Sequence, residues 1–104
     1  MSELHKEFDE LMMSVYVRAK KECSYNATRF LAMLGERKGV GTAKYLLAEP
    51  EVSEGFKKLF LKGRMDLTME AQLISNPKFW SLFEVEEIDA ARRWLKKHGW
   101  NRLD

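Results

Sequence analysis

The sequence contains few cysteines, which form disulfides, and few prolines and glycines, which interrupt regular secondary structure. Of its 104 residues, one is cysteine, two are proline and six are glycine. A single cysteine, Cys23, excludes an internal disulfide and a zinc site built from several thiolates. The low proline and glycine counts favour helices over a turn-rich β fold.

A long apolar run and a strong net charge are also missing. No segment approaches the roughly 20 apolar residues of a membrane-spanning helix, and the acidic, polar start has no apolar signal core. Eighteen lysine and arginine residues nearly balance 16 aspartate and glutamate residues, for a net charge of +2. This balance differs from that of a strongly basic DNA-binding domain. We therefore expect a cytoplasmic protein that does not use a membrane, and any basic surface on it has to be local.

The sequence shows no obvious set of metal ligands or catalytic groups. His5, Cys23 and His98 are far apart and have no partner at helical ligand spacing. Asp66 and Glu70 are one helical turn apart, but acidic residues are expected near the start of a helix on electrostatic grounds. We therefore predict no catalytic residue, no metal, no cofactor and no small-molecule substrate.

Apolar residues are plentiful, at 45% of the chain with 12% aromatic. Between residues 3 and 23 they recur at steps of three and four, which predicts one amphipathic helix with a single apolar face. The members of this face are Leu4, Phe8, Leu11, Met12, Val15, Ala19 and Cys23.

Capping residues predict two further helices in the next segment. Asn26 is expected to cap a helix that ends near Lys38, where Gly39 takes the left-handed conformation. Thr42 is then expected to start a short helix that Pro50 ends.

Capping and terminating residues also predict helices in the second half of the chain. Ser53 and Asp66 are expected to cap two short helices, and Gly63 ends the first of them. Pro77 suits the first position of another short helix, and the last helix is expected from Val85 to His98. We predict an all-α single domain, residues 1–104, of about six or seven mostly short helices with short connections, the first and last being longest.

The last helix carries acidic residues first and basic residues last, which complements the helix dipole. The same basic residues, together with the tryptophans near them, also suggest nucleic-acid binding. The candidate contacts are Arg92, Arg93, Lys96, Lys97 and Arg102, and Lys57, Lys58 and Lys62 are additional basic residues that could contribute.

The aromatic residues suggest a different function. Twelve aromatic side chains are difficult to bury fully in so small a domain, and an exposed apolar patch marks an interaction surface. We therefore expect a non-catalytic module that binds another protein or a second copy of itself, with nucleic-acid binding as the alternative and a small enzyme as a third possibility. The candidate contacts are Trp80, Phe83, Trp94, Trp100 and Tyr16.

Several sequence blocks resemble an uncharacterised family of small bacterial all-helical proteins. They are YNATRFLAML, GVGTAKYLL, SEGFKKLF, GRMDLTMEA and LFEVEEIDAARRWLKKHGW. The resemblance covers residues 25–100 and implies a helical core there, with residues 1–24 as a variable N-terminal helix. It implies no activity, so no catalytic residue is carried over from it.

Overall fold

A computed structural model describes residues 2–100 of the chain. These residues form five α-helices: α1 (Glu3–Cys23), α2 (Thr28–Leu47), α3 (Glu54–Leu61), α4 (Met69–Ser75) and α5 (Val85–Lys97). Two 3-10 helices lie at Met65–Leu67 and Pro77–Leu82. No strand occurs in this part of the chain. The predicted all-α class is confirmed, and the first helix is the longest.

The apolar stripe of α1 faces the core as predicted. Phe8 and Met12 are completely buried, and Val15, Ala19 and Cys23 are also buried. Ser2 caps the helix, because its hydroxyl oxygen accepts a hydrogen bond from the His5 amide at 3.2 Å. The helix ends where Ser24 takes left-handed backbone angles.

Helix α2 was predicted as two helices, the first ending near Lys38, and the structure does break the helix at Lys38. The residue with positive φ is Lys38 (φ 63°, ψ −177°) and not Gly39. Gly39 instead lies against α1, where its amide donates to Asp9 Oδ1 at 2.7 Å. Thr42 is a buried residue inside the helix and caps nothing. The predictions for Gly39 and Thr42 are therefore wrong.

The start of α2 also differs from the prediction. Ala27 precedes the helix and makes no side-chain capping bond. The side chain of Asn26, the predicted cap, accepts a hydrogen bond from Tyr16 Oη at 2.8 Å. This bond ties the α1–α2 connection to the side of α1.

The caps of α3 and α4 were predicted with mixed success. Ser53 Oγ accepts from the Phe56 amide at 3.1 Å, and Gly63 takes a φ of 72° after α3, both as expected. The cap of α4, however, is Thr68, whose Oγ1 accepts from the Ala71 amide at 3.1 Å. Asp66 lies in the preceding 3-10 helix, so its predicted role as a cap is wrong.

Helix α5 follows its predicted bounds closely. The Glu87 side chain accepts a hydrogen bond from the Glu84 amide at 2.8 Å, which caps the start of the helix. Gly99 takes a φ of 92° after the last turn. The Trp100 amide then donates to the Leu95 carbonyl at 2.9 Å, so the chain folds back onto α5.

The core has one large and one small part. In the large part Phe8 packs edge-on against Phe79 and Phe83, with ring centroids 5.2 and 5.4 Å away. The small part joins the end of α1 to α3 and the 3-10 helix after it, through Ala19, Cys23, Leu59 and Leu67. Among residues 2–100, no helix has both the length and the apolar character to cross a membrane.

Candidate ligand-binding site

A cavity of about 420 Å³ lies on one side of the molecule. Its walls come from the C-terminal half of α1, the α1–α2 connection, both ends of α2, the α2–α3 connection, α3 and the start of α4. The lining residues are Val15, Tyr16, Ala19, Tyr25, Asn26, Ala27, Thr28, Arg29, Phe30, Met33, Tyr45, Leu46, Glu49, Pro50, Glu51, Val52, Ser53, Glu54, Gly55, Phe56, Leu59, Thr68, Met69 and Glu70.

Glu70 is the unusual member of this lining. Its side chain is 1% exposed, and its Oε2 atom has no hydrogen-bond partner among the described residues. Burial raises the pKa of the Glu70 carboxyl to about 7, against the smaller opposing effect of its own backbone N–H. Near neutral pH this group therefore exists in both the charged and the uncharged form.

The position of α4 explains why this glutamate is buried. Thr68 starts the helix, which places Glu70 in its first turn. Helix α4 packs against α1, α5 and both 3-10 helices, so that few of its side chains reach solvent. Glu70 shares the helix face of Leu73 and Ile74, which are both buried. Packing on this face therefore buries the Glu70 side chain.

All three tyrosines of the protein line the cavity. Tyr16 is fixed by its hydrogen bond to Asn26 Oδ1. Tyr25 lies beside Gly55, where an added Cβ would be 3.7 Å from the tyrosine hydroxyl oxygen. Burial, with the nearby Glu54 carboxylate, raises the pKa of Tyr25. The ring of Tyr45 is covered by the Arg37 guanidinium, 4.3 Å from the ring centre.

The charges around the cavity are mostly negative. Glu49, Glu51 and Glu54 are exposed at its rim, while among the lining residues that the structure describes Arg29 is the one with a cationic side chain. Because exposed residues form this rim, the cavity is accessible from solvent. A local excess of acid contrasts with the net charge of +2 of the whole chain.

Of the aromatic residues predicted to bind a partner, only Tyr16 belongs to this cavity. Phe83 is a core residue, and Trp80, Trp94 and Trp100 are partly buried against the core. The Trp80 indole N–H donates to the Leu73 carbonyl at 2.8 Å. The large apolar residues that are exposed are different ones: Met13, Val17, Tyr45, Phe60, Leu61 and Val85.

The basic residues of α5 lie away from the cavity lining. Arg92 stacks over the Trp80 ring at 4.6 Å and pairs with Asp89 at 3.5 Å. Arg93, Lys96 and Lys97 are exposed, and Arg102 lies outside the described residues. Nucleic-acid binding by this strip stays a prediction.

Asp66 and Glu70, the acidic pair of the sequence, do not share a site. Asp66 Oδ1 accepts from Arg64 Nε at 3.1 Å, and this guanidinium lowers the pKa of Asp66. Arg64 also donates to Glu22 Oε1 at 2.9 Å. In residues 2–100 no group of three or more histidine, cysteine, aspartate or glutamate side chains is arranged to hold a metal ion.

Glu70 as a buried pocket residue was missed from the sequence, although a signal was present. Its spacing of three and four from Leu73 and Ile74 places it on the apolar face of the predicted helix. Acidic residues are common near the start of a helix, and this explanation of Glu70 drew attention away from its position on an apolar face. A charged residue within an apolar stripe is the pattern that could have identified it.

Comparison with protein-family models, curated proteins and solved structures found no match to this chain. The resemblance to a small bacterial helical family therefore stays a prediction. The candidate function of the cavity has to be argued from its own geometry and charge.

Proposed function

We propose that this protein is a helical domain that binds a small organic molecule in the cavity beside Glu70. The observation that carries the proposal is a cavity of about 420 Å³ that is accessible from solvent and combines apolar and aromatic side chains with polar groups at its rim.

The size and lining of the cavity support the same function. Ligand sites in proteins typically measure about 300–1,000 Å³ and combine apolar walls with a few polar groups. Here Phe30, Met33, Phe56 and Leu59 contribute apolar surface, and Tyr16, Tyr25 and Glu54 contribute polar groups. The proposal requires binding alone and no catalytic step.

Gly55 allows a direct test of the cavity. A Cβ at this position fits beside Tyr25, and the rest of a larger side chain would occupy the cavity. We expect ligand-observed NMR with a library of small organic fragments to find compounds that bind the wild type and not Gly55→Leu. Gly35→Leu is the matched control, because Gly35 is exposed in α2 and has open space around it.

The outcomes separate clearly. Fragments that bind wild type and Gly35→Leu equally, and lose binding in Gly55→Leu, support the cavity as the site. Fragments that still bind Gly55→Leu would place the binding elsewhere and overturn the proposal. Thermal unfolding of each variant checks that it is folded.

A second candidate function is association with another protein, which the exposed end of α3 favours. Leu61 is 79% exposed and Phe60 is 39% exposed. Phe60 also borders a hollow of about 250 Å³ together with Trp100. For self-association we expect light scattering to show a concentration-dependent rise in mass that Leu61→Asp abolishes. A constant monomer mass for the wild type would contradict it.

A further inference from the structure

We propose that α3 and the last two turns of α5 together bind single-stranded nucleic acid, with cationic side chains on the phosphates and a base in a hollow beside Phe60. This activity is separate from ligand binding in the cavity and does not depend on it. Three observations support it: two segments without acidic residues, the packing that joins them, and an aromatic hollow at their edge.

The two segments carry positive charge alone. Residues 55–65 and 90–100 contain no aspartate or glutamate. Arg64 and Arg92 pair with carboxylates from outside these segments. The remaining six cationic side chains are exposed and form no ion pair with any residue of the described range: Lys57, Lys58, Lys62, Arg93, Lys96 and Lys97. The net charge of the whole chain is only +2, so this excess is local, and a local excess of unpaired cations attracts polyanions.

A histidine joins the two helices. The His98 ring follows α5 and lies edge-on against two rings of α3, with its centroid 4.8 Å from that of Phe56 and 5.0 Å from that of Phe60. Lys57 is next to Phe56 in the sequence, and Lys97 is next to His98. Because the end of α5 packs on α3 at this point, the cationic side chains of both helices lie at the same end of the molecule. They therefore form one basic surface.

An aromatic hollow borders this surface. It measures about 250 Å³ and is lined by Phe60, Gly63, Met65, Asp66 and Trp100. Phe60 is 39% exposed, so part of its ring is available for contact. Asp66 does not oppose a polyanion there, because the Arg64 guanidinium donates to both of its carboxylate oxygens at 3.1 Å.

The exposed ring distinguishes a single strand from other polyanions. Unpaired bases stack on aromatic side chains, while the phosphates of the strand follow a cationic surface. An acidic peptide or a duplex also pairs with the cations, but neither offers a free base to the Phe60 ring. The combination of unpaired cations with an aromatic hollow therefore favours single-stranded nucleic acid.

Fluorescence polarisation with labelled probes tests the proposal. The probes are an oligothymidine of about 15 nucleotides, an abasic oligomer of the same length and charge, and a DNA duplex of the same length. Unlabelled poly-L-glutamate is the competitor. We expect the oligothymidine to bind most tightly. If all six cations contact phosphates, the logarithm of its binding constant should fall against the logarithm of the salt concentration with a slope of about −4.

Two double variants locate the surface. Lys57→Gln with Lys62→Gln changes α3, and Arg93→Gln with Lys97→Gln changes α5. Each pair removes two exposed positive charges and leaves the core unchanged. Each should weaken oligothymidine binding by about tenfold at low salt and make the salt slope shallower by about 1.4.

The matched control is Lys6→Gln with Lys38→Gln, which removes the same number of charges elsewhere. Both lysines are exposed. Lys6 lies near the start of α1, and Lys38 precedes Gly39, whose amide donates to Asp9 of the same helix. Helix α3 instead packs against the other end of α1. This variant should bind the oligothymidine within about twofold of wild type.

Substitutions of Phe60 test the stacking contact. Phe60→Leu keeps an apolar side chain against His98 but removes the aromatic face, and Phe60→Tyr keeps the ring. We expect Phe60→Leu to weaken oligothymidine binding by about fivefold to a hundredfold and to leave the abasic oligomer within about twofold of wild type. Phe60→Tyr should match wild type on both probes. Thermal unfolding checks that each variant is folded.

The contrary outcomes are distinguishable. If the oligothymidine does not bind at about 100 μM protein in about 50 mM salt, the proposal fails, since even non-specific affinities for nucleic acid are tighter. Equal losses in the control and in the two test variants would place the contact elsewhere. If the duplex binds as tightly and Phe60→Leu has no effect, the surface binds phosphates alone and the single-strand assignment is wrong. Displacement by poly-L-glutamate as effective as by unlabelled oligothymidine would indicate an acidic protein partner instead.

Discussion

The two halves of α1 meet their neighbours in opposite ways. Near its N-terminus the contact with α2 is so close that a Cβ on Gly39 would lie 2.9 Å from Asp9 Oδ1 and 3.1 Å from the Phe8 ring. Near its C-terminus, Val15, Tyr16 and Ala19 border a cavity of about 420 Å³. One amphipathic helix is therefore packed tightly against α2 at one end (the filled end), while at the other end (the open end) a cavity adjoins part of its surface.

This difference indicates which end serves stability and which end is available for binding. Protein interiors are packed to nearly crystalline density, and unfilled space forfeits dispersion contacts. The filled end contains Phe8 and Met12, both fully buried. The open end contains the cavity and the buried, unpaired carboxyl group of Glu70, and both of these lower the stability of the fold. Variants at the two ends should respond in correspondingly different ways.

The largest effect is expected from Gly39→Ala at the filled end. The added methyl group would collide with the Asp9 side chain and with the backbone Cα of the same residue, so α1 and α2 would have to separate. We expect a loss of about 3 kcal/mol in the free energy of unfolding, measured by urea denaturation. Gly35→Ala is the control, since open space around an exposed helical glycine predicts a gain of about 0.5–1 kcal/mol. Similar effects for both variants would show that the filled interface is not tight.

A smaller effect of opposite sign is expected from Glu70→Gln at the open end. The pKa of Glu70 is raised from 4.5 to about 7 in the folded protein. The folded state therefore binds more protons than the unfolded state between these two values, and stability falls as pH rises through this range. Glutamine does not ionise, so the variant avoids this loss of stability, but its own buried amide is left unpaired. The net result is a free energy of unfolding about 2 kcal/mol higher than that of wild type at about pH 8.

The measurement for Glu70→Gln is the free energy of unfolding at several pH values. Below about pH 4 the carboxyl is protonated in both states, so its ionisation contributes no difference there. The pH dependence between 4.5 and 7 should be weaker in the variant than in the wild type. A variant less stable than wild type at pH 8, with the same pH profile, would contradict the burial of an unpaired charge.

The smallest effect is expected from Lys38→Gly at the break in α2. Lys38 takes φ 63° and ψ −177°, a region that is strained for any residue with a Cβ. Glycine relieves this strain but loses more backbone entropy on folding, so we expect a net gain of about 1 kcal/mol by thermal unfolding. Glu36→Gly, in regular helix two residues earlier, should instead lose about 1 kcal/mol. A loss at both positions would argue against the strained conformation of Lys38.

The regular parts of the fold were predictable because their signals are local. The stripe of α1 and the succession of acids and bases in α5 lie within single helices, where spacing alone identifies the element. The cap at Ser53 and the stop at Gly63 depend on neighbouring residues only. In each of these cases the prediction needed no knowledge of the tertiary contacts.

The failures occurred where distant residues decide the local conformation. Gly39 was expected to take the positive φ, since glycine does so readily. It is needed instead for the close approach of α1, which leaves the neighbouring Lys38 with that conformation. Asn26 was expected to cap α2, but its side-chain oxygen instead accepts a hydrogen bond from Tyr16 Oη.

The cavity could not be predicted because several separate segments of the chain form it. Only Tyr16 of the predicted contact residues lies there, and it was chosen for its aromatic ring alone. Glu70 could have been suspected from its place on the apolar face of α4. The Oε2 atom of Glu70 lacks a hydrogen-bond partner because of the tertiary packing, which local sequence patterns do not predict.

The hydrogen bond from the Gly39 amide to Asp9 also has a consequence for the order of folding. The second half of α2 starts after a break, and an acceptor 30 residues earlier in the chain satisfies its first amide. A separate peptide of residues 39–47 would lack this acceptor, and helices of so few residues are unstable in water. We therefore expect this half-helix to form when α1 docks against it, which makes the α1–α2 pair an early cooperative unit of the fold.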